Sequence, residues 1–336
     1  MLTEPDLNKK KLIDAVAAGY GVSVRSLEFL PIGADARSFS YDCHTTDHRR
    51  LYLKVRLIDE ESSNFFSVSM RIAQQVVGAI HPIANPQNGM VWIDFEGYKL
   101  MMFPFVSGIA GWDIELTENQ WFQVGKTFRS LHDLVLPNSV ACDLPRENYS
   151  EKYRNRALRY VNGEIQITAA DVHASAMQSL LKANRNLLLD IVKKAQALSL
   201  ILPEKQLEFV CCHGDLHSGN FLITEGGSMH PVDWDNLSLA PKEKDLMFIG
   251  GGIGGMLDGN NAEELFARGY GPCQICVDAL RYFRLERIVQ DVVAFCEQLL
   301  DSAEGGPDRP LRLEQFSRLF EKGGVMDVAY KTIEDY

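Results

Sequence analysis

Residues 213–220 read HGDLHSGN, with the apolar run VCC before them and the apolar run FLI after them. Asp233 stands 18 residues beyond Asp215, inside another short apolar segment, PVDW. Apolar runs on either side of a polar, glycine-containing segment predict a tight loop between strands. The loop would carry Asp215 and Asn220, and the adjacent hairpin would carry Asp233.

The residue types in this loop suit the transfer of a phosphoryl group. Such a reaction needs a carboxylate that accepts a hydrogen bond from the attacking hydroxyl, and hard oxygen ligands that hold Mg²⁺ on the nucleotide phosphates. We assign the first role to Asp215, as the catalytic residue, and the second to Asn220 and Asp233. Each piece alone is compatible with an ordinary turn or strand end, but their order and spacing favour the catalytic interpretation.

Together, HGDLHSGN and VDWD resemble the motifs of the aminoglycoside phosphotransferase superfamily, to which choline, homoserine and macrolide kinases are similar. The stretches LAPKEKDLMFIGGG (239–252) and YFRLERIVQD (282–291) resemble its spectinomycin phosphotransferase branch. The resemblance covers nearly the whole chain. It implies an α+β, two-lobed, protein-kinase-like fold, with a small antiparallel-sheet N-terminal lobe and a larger, mainly helical C-terminal lobe.

The pattern of apolar residues changes near residue 103. Before it, short segments predict strands, interrupted by one helical stretch. Beyond it the periodicity is helical, and Thr117 followed by Gln120 predicts a capping box at the start of a helix. Long amphipathic stretches lie at 175–198, 277–302 and 311–322. We predict an ATP-binding lobe at 1–102, a hinge at 103–108, and a helical lobe at 109–336 that carries the catalytic loop and the acceptor site.

The resemblance places the nucleotide, ATP or alternatively GTP, on the first lobe. Lys54, in the strand-like segment LYLKV, would contact the α- and β-phosphates. Ser38, at the end of a loop with a single glycine, would help to cover the phosphates. Adenine would hydrogen-bond the carbonyl of Phe103 and the N–H of Phe105.

Further residues are predicted to support these groups. His213 would brace the catalytic loop, and Asp245 resembles the acid that braces this loop in the family. Glu60 and Glu61 are candidate partners of Lys54, although they follow it closely in the sequence.

The net charge of −11 is unevenly distributed. Residues 1–103 carry 11 basic and 12 acidic side chains, whereas residues 104–336 carry 23 and 33. A general nucleic-acid binder has a basic surface, so this class is excluded. An acidic helical lobe raises the local concentration of cations and therefore favours a cationic acceptor.

Four side chains are candidate contacts of that acceptor. Asp235, Glu286 and Asp291 would bind ammonium groups, and Trp112 would stack on a ring. Ordinary exposed or structural roles remain the alternative for each. A protein substrate is not expected, because only 11 residues separate Asp233 from Asp245, which leaves no room for a long activation segment.

Other features favour a cytoplasmic enzyme without membrane partners. The chain has seven cysteines without a disulfide framework, no apolar run near ~18 residues, and no leader-like N-terminus. The pair Cys273 and Cys276 has no second pair, so it does not predict a zinc site. The glycine run at 250–255 lies outside a strand–turn–helix unit and does not predict a dinucleotide site.

We therefore predict an ATP- and Mg²⁺-dependent O-phosphotransferase that acts on a hydroxyl of an aminocyclitol or aminoglycoside resembling spectinomycin, with antibiotic resistance as the implied role. The first alternative is the same chemistry on choline, homoserine or a sugar. Another is a nucleotide-binding module without transferase activity. A metal hydrolase built on His213, Asp215 and His217 is a more distant alternative.

Overall fold

The computed structural model describes residues 3–33, 35, 37–57, 63–165, 171–250, 261–302, 305–322, 325–327 and 330. Glu60, Glu61 and residues 251–255 of the glycine run lie outside these residues. The chain divides into two compact units. Unit 1 comprises Met1–Ile109, Pro137–Leu144 and Leu222–Asp235, and unit 2 comprises Ala110–Leu136, Pro145–Phe221 and Asn236–Tyr336. The predicted boundaries of the two lobes and the hinge remain a proposal.

The strands lie mostly in the first half of the chain, and the helices dominate the second. The strands are β1 (Val24–Leu30), β2 (Ser38–Thr45), β3 (Arg50–Leu57), β4 (Ile93–Phe95), β5 (Tyr98–Pro104), β6 (Ile109–Ala110), β7 (Phe209–Cys212), β8 (Phe221–Ile223), β9 (Met229–Pro231) and β10 (Ser238–Pro241). The helices are α1 (Lys9–Tyr20), α2 (Ser63–Ala73), α3 (Glu118–His132), α4 (Asn138–Ala141), α5 (Lys152–Val161), α6 (Val172–Ala183), α7 (Arg185–Ile201), α8 (Glu243–Leu246), α9 (Ala262–Tyr270), α10 (Val277–Leu299) and α11 (Asp308–Arg318). This distribution confirms the predicted α+β class.

Unit 1 is built on an antiparallel sheet with the strand order β1-β2-β3-β5-β4. Along β3, Leu51, Leu53 and Val55 are buried in the core that the sheet forms with α1. Because successive side chains of a strand point to opposite faces, Lys54 and Arg56 lie together on the other face. The alternation in the sequence thus places two cations side by side.

Unit 2 is organised by helix packing. Helix α10 is buried around most of its circumference, as expected for a central helix. Thr117 caps the N-terminus of α3. Its side chain accepts the Gln120 N–H, and the Gln120 side chain accepts the Thr117 N–H, so the predicted capping box is confirmed. Helices α3 and α9 approach closely through glycines, since a Cβ on Gly125 would lie 2.2 Å from the Phe266 carbonyl oxygen. A Cβ on Gly269 would be equally excluded.

The single helix predicted at 175–198 is wrong in one respect, because the chain forms two helices there. Helix α6 ends at Ala183 and α7 begins at Arg185. Asn184 separates them, and its side-chain amide donates to the Leu180 carbonyl at 2.9 Å. This short polar side chain competes for a backbone acceptor and ends the first helix. Among the described residues, no helix is both long and apolar enough to span a membrane.

Candidate active site

The motif HGDLHSGN follows β7 directly, and the antiparallel pair of β7 and β10 supports its start. The loop is closed by short hydrogen bonds. The His217 N–H donates to the Asp215 carbonyl at 2.9 Å, and the Asn220 N–H donates to the His217 carbonyl at 3.0 Å. The Asn220 side-chain amide also donates to the Asp215 carbonyl, at 2.7 Å. These bonds fix Asp215 and Asn220 relative to each other.

Two glycines let this loop form. Gly214 has a φ of 80°, and a Cβ there would lie 2.5 Å from the Asn236 carbonyl oxygen. A Cβ on Gly219 would lie 2.3 Å from the ring of Trp112. Gly214 needs both the left-handed backbone and the close approach, and Gly219 needs the close approach alone. The spacing of glycines in the motif is therefore a steric requirement of the loop.

Asp245 braces the start of the loop from α8. Its fully buried carboxylate accepts the backbone N–H of His213 at 2.8 Å and that of Gly214 at 2.7 Å. His132 places its Nε2 3.0 Å from the same carboxylate, and its Nδ1 is 2.8 Å from the Tyr270 hydroxyl. Burial alone would raise the pKa of Asp245, but the hydrogen bonds and the nearby histidines hold it below its usual value. The arrangement supports the predicted bracing role.

Replacing Asp245 by Asn is expected to lower the free energy of unfolding by about 3 kcal/mol at neutral pH. The amide nitrogen would face a backbone N–H, and the charge that both backbone bonds rely on would be lost. Since the folded-state pKa lies below the unfolded value of about 3.9, this stabilisation is present above about pH 4 and disappears as the pH falls through the folded-state pKa. Urea unfolding at pH 7 measures the effect, and a series at successively lower pH below about 4 follows its loss.

The control for that measurement is the exposed Asp133→Asn, whose carboxylate pairs with Arg129 one helical turn away. If Asp245→Asn costs no more stability than this surface change, Asp245 does not brace the loop.

His132, Cys212 and Asp245 lie close enough together to hold a metal ion. The donors do not fit one. The Cys212 thiol donates to the carbonyl oxygens of Ala240 and Pro241, at 3.6 and 3.5 Å. The carboxylate of Asp245 is already occupied by backbone N–H groups. The cluster is therefore structural.

The carboxylate of Asp215 is held on one side only. Arg287, on α10, donates from Nη1 to Asp215 Oδ1 at 2.5 Å, and His217 Nε2 is 3.6 Å from the same oxygen. Within the part of the chain that the structure describes, Oδ2 accepts no hydrogen bond. Arg287 also donates from Nε to Asp291 Oδ1 at 2.9 Å. Burial alone would lower the pKa of Arg287, but the two carboxylates raise it overall, so the guanidinium stays charged.

Sequence reasoning missed Arg287. It lies within the stretch YFRLERIVQD that carried part of the resemblance, one residue after Glu286. A cationic acceptor requires acidic residues, so the predicted roles in this stretch fell to Glu286 and Asp291 and not to its arginines. A signal existed in the helical spacing, because Arg287 and Asp291 are four residues apart on one face of α10.

Lys54 pairs with two carboxylates of unit 1. Its Nζ lies 2.8 Å from Asp233 Oδ1 and 2.5 Å from Asp235 Oδ2. Burial alone would lower the pKa of Lys54, but the charges of Asp233 and Asp235 raise it overall, so the amine stays protonated. Asp235 also accepts Arg56 Nη1 at 2.6 Å and is nearly buried. Among the described residues, these aspartates are the acidic partners of Lys54.

The position of Asp235 bears on its predicted role. Its side chain is only 6% exposed and is occupied by Lys54 and Arg56. A carboxylate so engaged is not presented to an acceptor ammonium group. The structure therefore replaces the predicted substrate contact with an ion pair that orients Lys54.

Asn220 and Asp233 each fit the role of a Mg²⁺ ligand within their own unit. The Asn220 amide nitrogen donates to the Asp215 carbonyl, which leaves Oδ1 as the atom that can bind a metal ion. Asp233 keeps 39% of its side chain exposed and has a φ of 65°, a left-handed conformation that non-glycine residues adopt rarely and mostly at functional sites. Both offer the hard oxygen atoms that Mg²⁺ prefers.

The loop before β2 closes on itself. The Ser38 hydroxyl donates to Asp35 Oδ2 at 2.9 Å, and the Arg37 N–H donates to Asp35 Oδ1 at 2.8 Å. Arg56 reaches the same loop, with Nη1 2.9 Å from Asp35 Oδ2 and 3.2 Å from the Ser38 hydroxyl. The predicted phosphate contact of Ser38 therefore requires its hydroxyl to leave Asp35.

The predicted adenine contacts are already engaged in the sheet. The Phe105 N–H donates to the Arg50 carbonyl at 3.3 Å, and the Arg50 guanidinium lies 3.6 Å from the centre of the Phe105 ring. Phe103 is paired with Tyr52 in the ladder between β3 and β5. Contact of adenine with the Phe105 N–H would require that bond to open, so this register stays a prediction that the geometry does not favour.

The remaining acceptor candidates differ in exposure. Trp112 is 56% exposed and stacks on His217, with ring centroids 5.3 Å apart. Asp291 is occupied by Arg287. Glu286 is 5% exposed and pairs with Arg154 at 2.6 Å. A buried acid paired in this way cannot meet an acceptor, so the structure speaks against that role for Glu286.

Crystal structures of other proteins resemble this one. A crystal structure of a spectinomycin phosphotransferase in complex with ADP and spectinomycin is 27% identical, with a TM-score of 0.85 over 98% of this chain and 99% of that one. A choline kinase from Streptococcus pneumoniae is 14% identical, with a TM-score of 0.57 over 98% of this chain and 99% of that one, and shares the fold. These matches confirm the predicted kinase-like fold.

Sequence comparison agrees. An amicoumacin kinase from Bacillus subtilis (strain 168) is 22% identical in an alignment of 240 residues, which covers 68% of this chain and 64% of that protein, less than two thirds of its length. A model of the phosphotransferase enzyme family matches residues 27–285, which include Lys54, the whole HGDLHSGN motif and Asp233. As the motifs predicted, the chain belongs to the phosphotransferase enzyme family.

Proposed function

We propose that this protein transfers the γ-phosphoryl group of ATP to a hydroxyl of a small, cationic aminocyclitol or aminoglycoside acceptor such as spectinomycin. The observation that carries the proposal is the carboxylate of Asp215, whose Oδ1 is held by Arg287 while Oδ2 accepts no hydrogen bond from any residue that the structure describes. The similarity to a spectinomycin phosphotransferase over nearly the whole chain supports the acceptor class.

In this mechanism Asp215 accepts a hydrogen bond from the acceptor hydroxyl and takes its proton as the oxygen bonds to the γ-phosphorus. The bond from phosphorus to the β,γ-bridging oxygen breaks, and ADP leaves with that electron pair. Lys54 places positive charge on the phosphates. Asn220 and Asp233 would hold Mg²⁺, which offsets phosphate charge when bound. Catalysis then depends on positioning and on charge, with no covalent enzyme intermediate.

Replacing Asp235 by Asn is expected to raise KM for ATP about tenfold, because a charge-assisted hydrogen bond that orients Lys54 is lost. The change keeps the size of the side chain and leaves Asp233 on Lys54. Steady-state kinetics with varied ATP measure it. The matched control is Asp94→Asn, which removes the carboxylate partner of Lys99 on the same sheet. Equal KM values in the two variants would contradict the orienting role.

KM for a cationic acceptor is expected to rise several-fold between about 0.01 M and about 1 M ionic strength, over which the screening length falls from about 30 Å to about 3 Å. The physical reason is the acidic excess of residues 104–336, with 33 acidic and 23 basic side chains. Initial rates at several concentrations of an inert salt such as NaCl measure the effect. An acceptor KM that does not change with salt would show that the net charge contributes nothing to acceptor binding.

Choline is the second candidate acceptor, on the strength of one observation. Trp112 exposes an aromatic face beside the catalytic loop, and quaternary ammonium groups bind such faces. The fold is also that of the choline kinase compared above.

An acceptor panel distinguishes the candidates. Release of ADP from ATP, or of GDP from GTP, is measured in the presence of Mg²⁺ with spectinomycin, streptomycin, a macrolide, choline, homoserine and a sugar. We expect stimulation by spectinomycin. Stimulation by choline or homoserine alone overturns the antibiotic acceptor and retains the chemistry. If no compound stimulates release, the proposed transfer fails. Raised spectinomycin tolerance in a susceptible bacterium that expresses the protein would support a role in resistance.

A further inference from the structure

We propose that Arg287, anchored by Asp291, is a positioning residue that fixes the rotamer of Asp215 so that Oδ2 faces the acceptor hydroxyl. This inference deepens the proposed function and rests on it. It names a residue outside the HGDLHSGN motif on which the reaction depends.

The two carboxylate oxygens of Asp215 have different surroundings. Arg287 Nη1 donates to Oδ1 at 2.5 Å, and His217 lies 3.6 Å from the same atom. Both positive or polar partners are on one side of the carboxylate. A hydroxyl that seeks an acceptor therefore finds Oδ2, whose direction is set by the bonds on Oδ1.

The guanidinium of Arg287 is itself held by neighbouring side chains. Arg287 Nε donates to Asp291 Oδ1 at 2.9 Å, one helical turn further along α10. The guanidinium carbon lies 5.5 Å from the centre of the Phe248 ring. A planar guanidinium held at Nε and packed near an aromatic ring has few rotamers, so it transmits a fixed direction to Asp215.

The positive charge of Arg287 balances the charges of two carboxylates. Arg287 is 20% exposed, between carboxylates that are 17% and 29% exposed. Without the cation, Asp215 and Asp291 would face each other as like charges, and the Asp215 side chain would turn away from its productive direction. Loss of Arg287 therefore disturbs the carboxylate more than loss of one ordinary hydrogen bond.

Other arginines of the unit have different surroundings. Arg284 donates to the backbone carbonyls of Met247 and Ile249, and Arg154 pairs with the buried Glu286. These contacts hold helices together and do not involve Asp215. Arg281, on α10 before Arg287, has no ion pair within the described part of the chain, so Arg281→Met is a matched control for removing an arginine from this helix.

The experiment compares Arg287→Met, Arg287→Lys, Asp291→Asn and Arg281→Met with the wild type, with spectinomycin or whichever panel compound the wild type phosphorylates. We expect Arg287→Met to lower kcat roughly 100-fold, the typical cost of a misplaced catalytic group. KM for ATP should change less than about threefold. Arg287→Lys should recover part of kcat. The kcat of Asp291→Asn should lie between those of Arg287→Lys and the wild type. Arg281→Met should match the wild type.

Chemical rescue separates positioning from folding. Added methylguanidine should restore part of kcat to Arg287→Ala and should not affect Arg281→Met, while the thermal midpoints report stability. The inference is overturned if Arg287→Met retains wild-type kcat, or if the kcat lost in Arg287→Ala follows its thermal midpoint and methylguanidine does not restore it. A wild type that transfers phosphate to no compound overturns the proposed function itself, and with it this role.

Discussion

Replacing Asp215 by Asn is expected to lower kcat for phosphoryl transfer roughly 10²–10⁴-fold, the usual contribution of a positioned general base. The amide keeps the shape of the side chain and can still contact a hydroxyl, but it cannot take a proton. ATP binding should be retained, because the phosphates and adenine are assigned to other residues. Steady-state kinetics and direct ATP binding by calorimetry measure the two quantities.

The control for Asp215→Asn is Asp133→Asn, an exposed aspartate of unit 2 whose carboxylate pairs with Arg129. Its kinetics should equal those of the wild type. An Asp215→Asn variant with wild-type kcat would show that this carboxylate is not the base.

Replacing Lys54 by Met is expected to lower kcat/KM for ATP roughly 10²–10³-fold, the range found when one preorganised charge-stabilising donor is removed. The methionine keeps most of the aliphatic volume and removes the charge. It also leaves Asp233 and Asp235 without the cation that both contact, so repulsion between these carboxylates and the phosphates increases. Kinetics with varied ATP and a thermal midpoint for each variant measure the effect.

Lys99 provides the matched control. It is a buried lysine on the neighbouring strand β5, and its Nζ is 2.8 Å from Asp94. Lys99→Met removes the same charge from the same sheet but is expected to leave KM for ATP unchanged. Equal losses of ATP use in the two variants would mean that Lys54 acts through the stability of the sheet and not on the nucleotide.

Features of the fold and the site that depend on local spacing could be predicted from the sequence. The turns that join Asp215 to Asn220 are made within one octapeptide, and the alternation along β3 places Lys54 on the face away from the core. Such features depend on near neighbours in the chain, where side-chain periodicity and glycine positions carry the signal. The α+β class followed from the same patterns.

The local sequence pattern could not predict ion pairs between residues that lie far apart in the chain. Arg287 and Asp215 are 72 residues apart, and Lys54 and Asp235 are 181 residues apart. Nothing in local spacing says which carboxylate a cation meets. Asp235 was therefore predicted as a substrate contact, whereas in the structure it holds Lys54 and Arg56. Glu286 looked like an available acid, but the fold buries it against Arg154.

The most direct test of the central claim is mass spectrometry of spectinomycin incubated with Mg²⁺, ATP and the wild-type protein or Asp215→Asn. We predict that spectinomycin gains the mass of one phosphoryl group, in step with the ADP formed, with the wild type and not with the variant. Consumption of ATP by the wild type without phosphorylated spectinomycin would contradict the proposed acceptor. An equal yield of phosphorylated product from the Asp215→Asn variant would contradict the proposed chemistry.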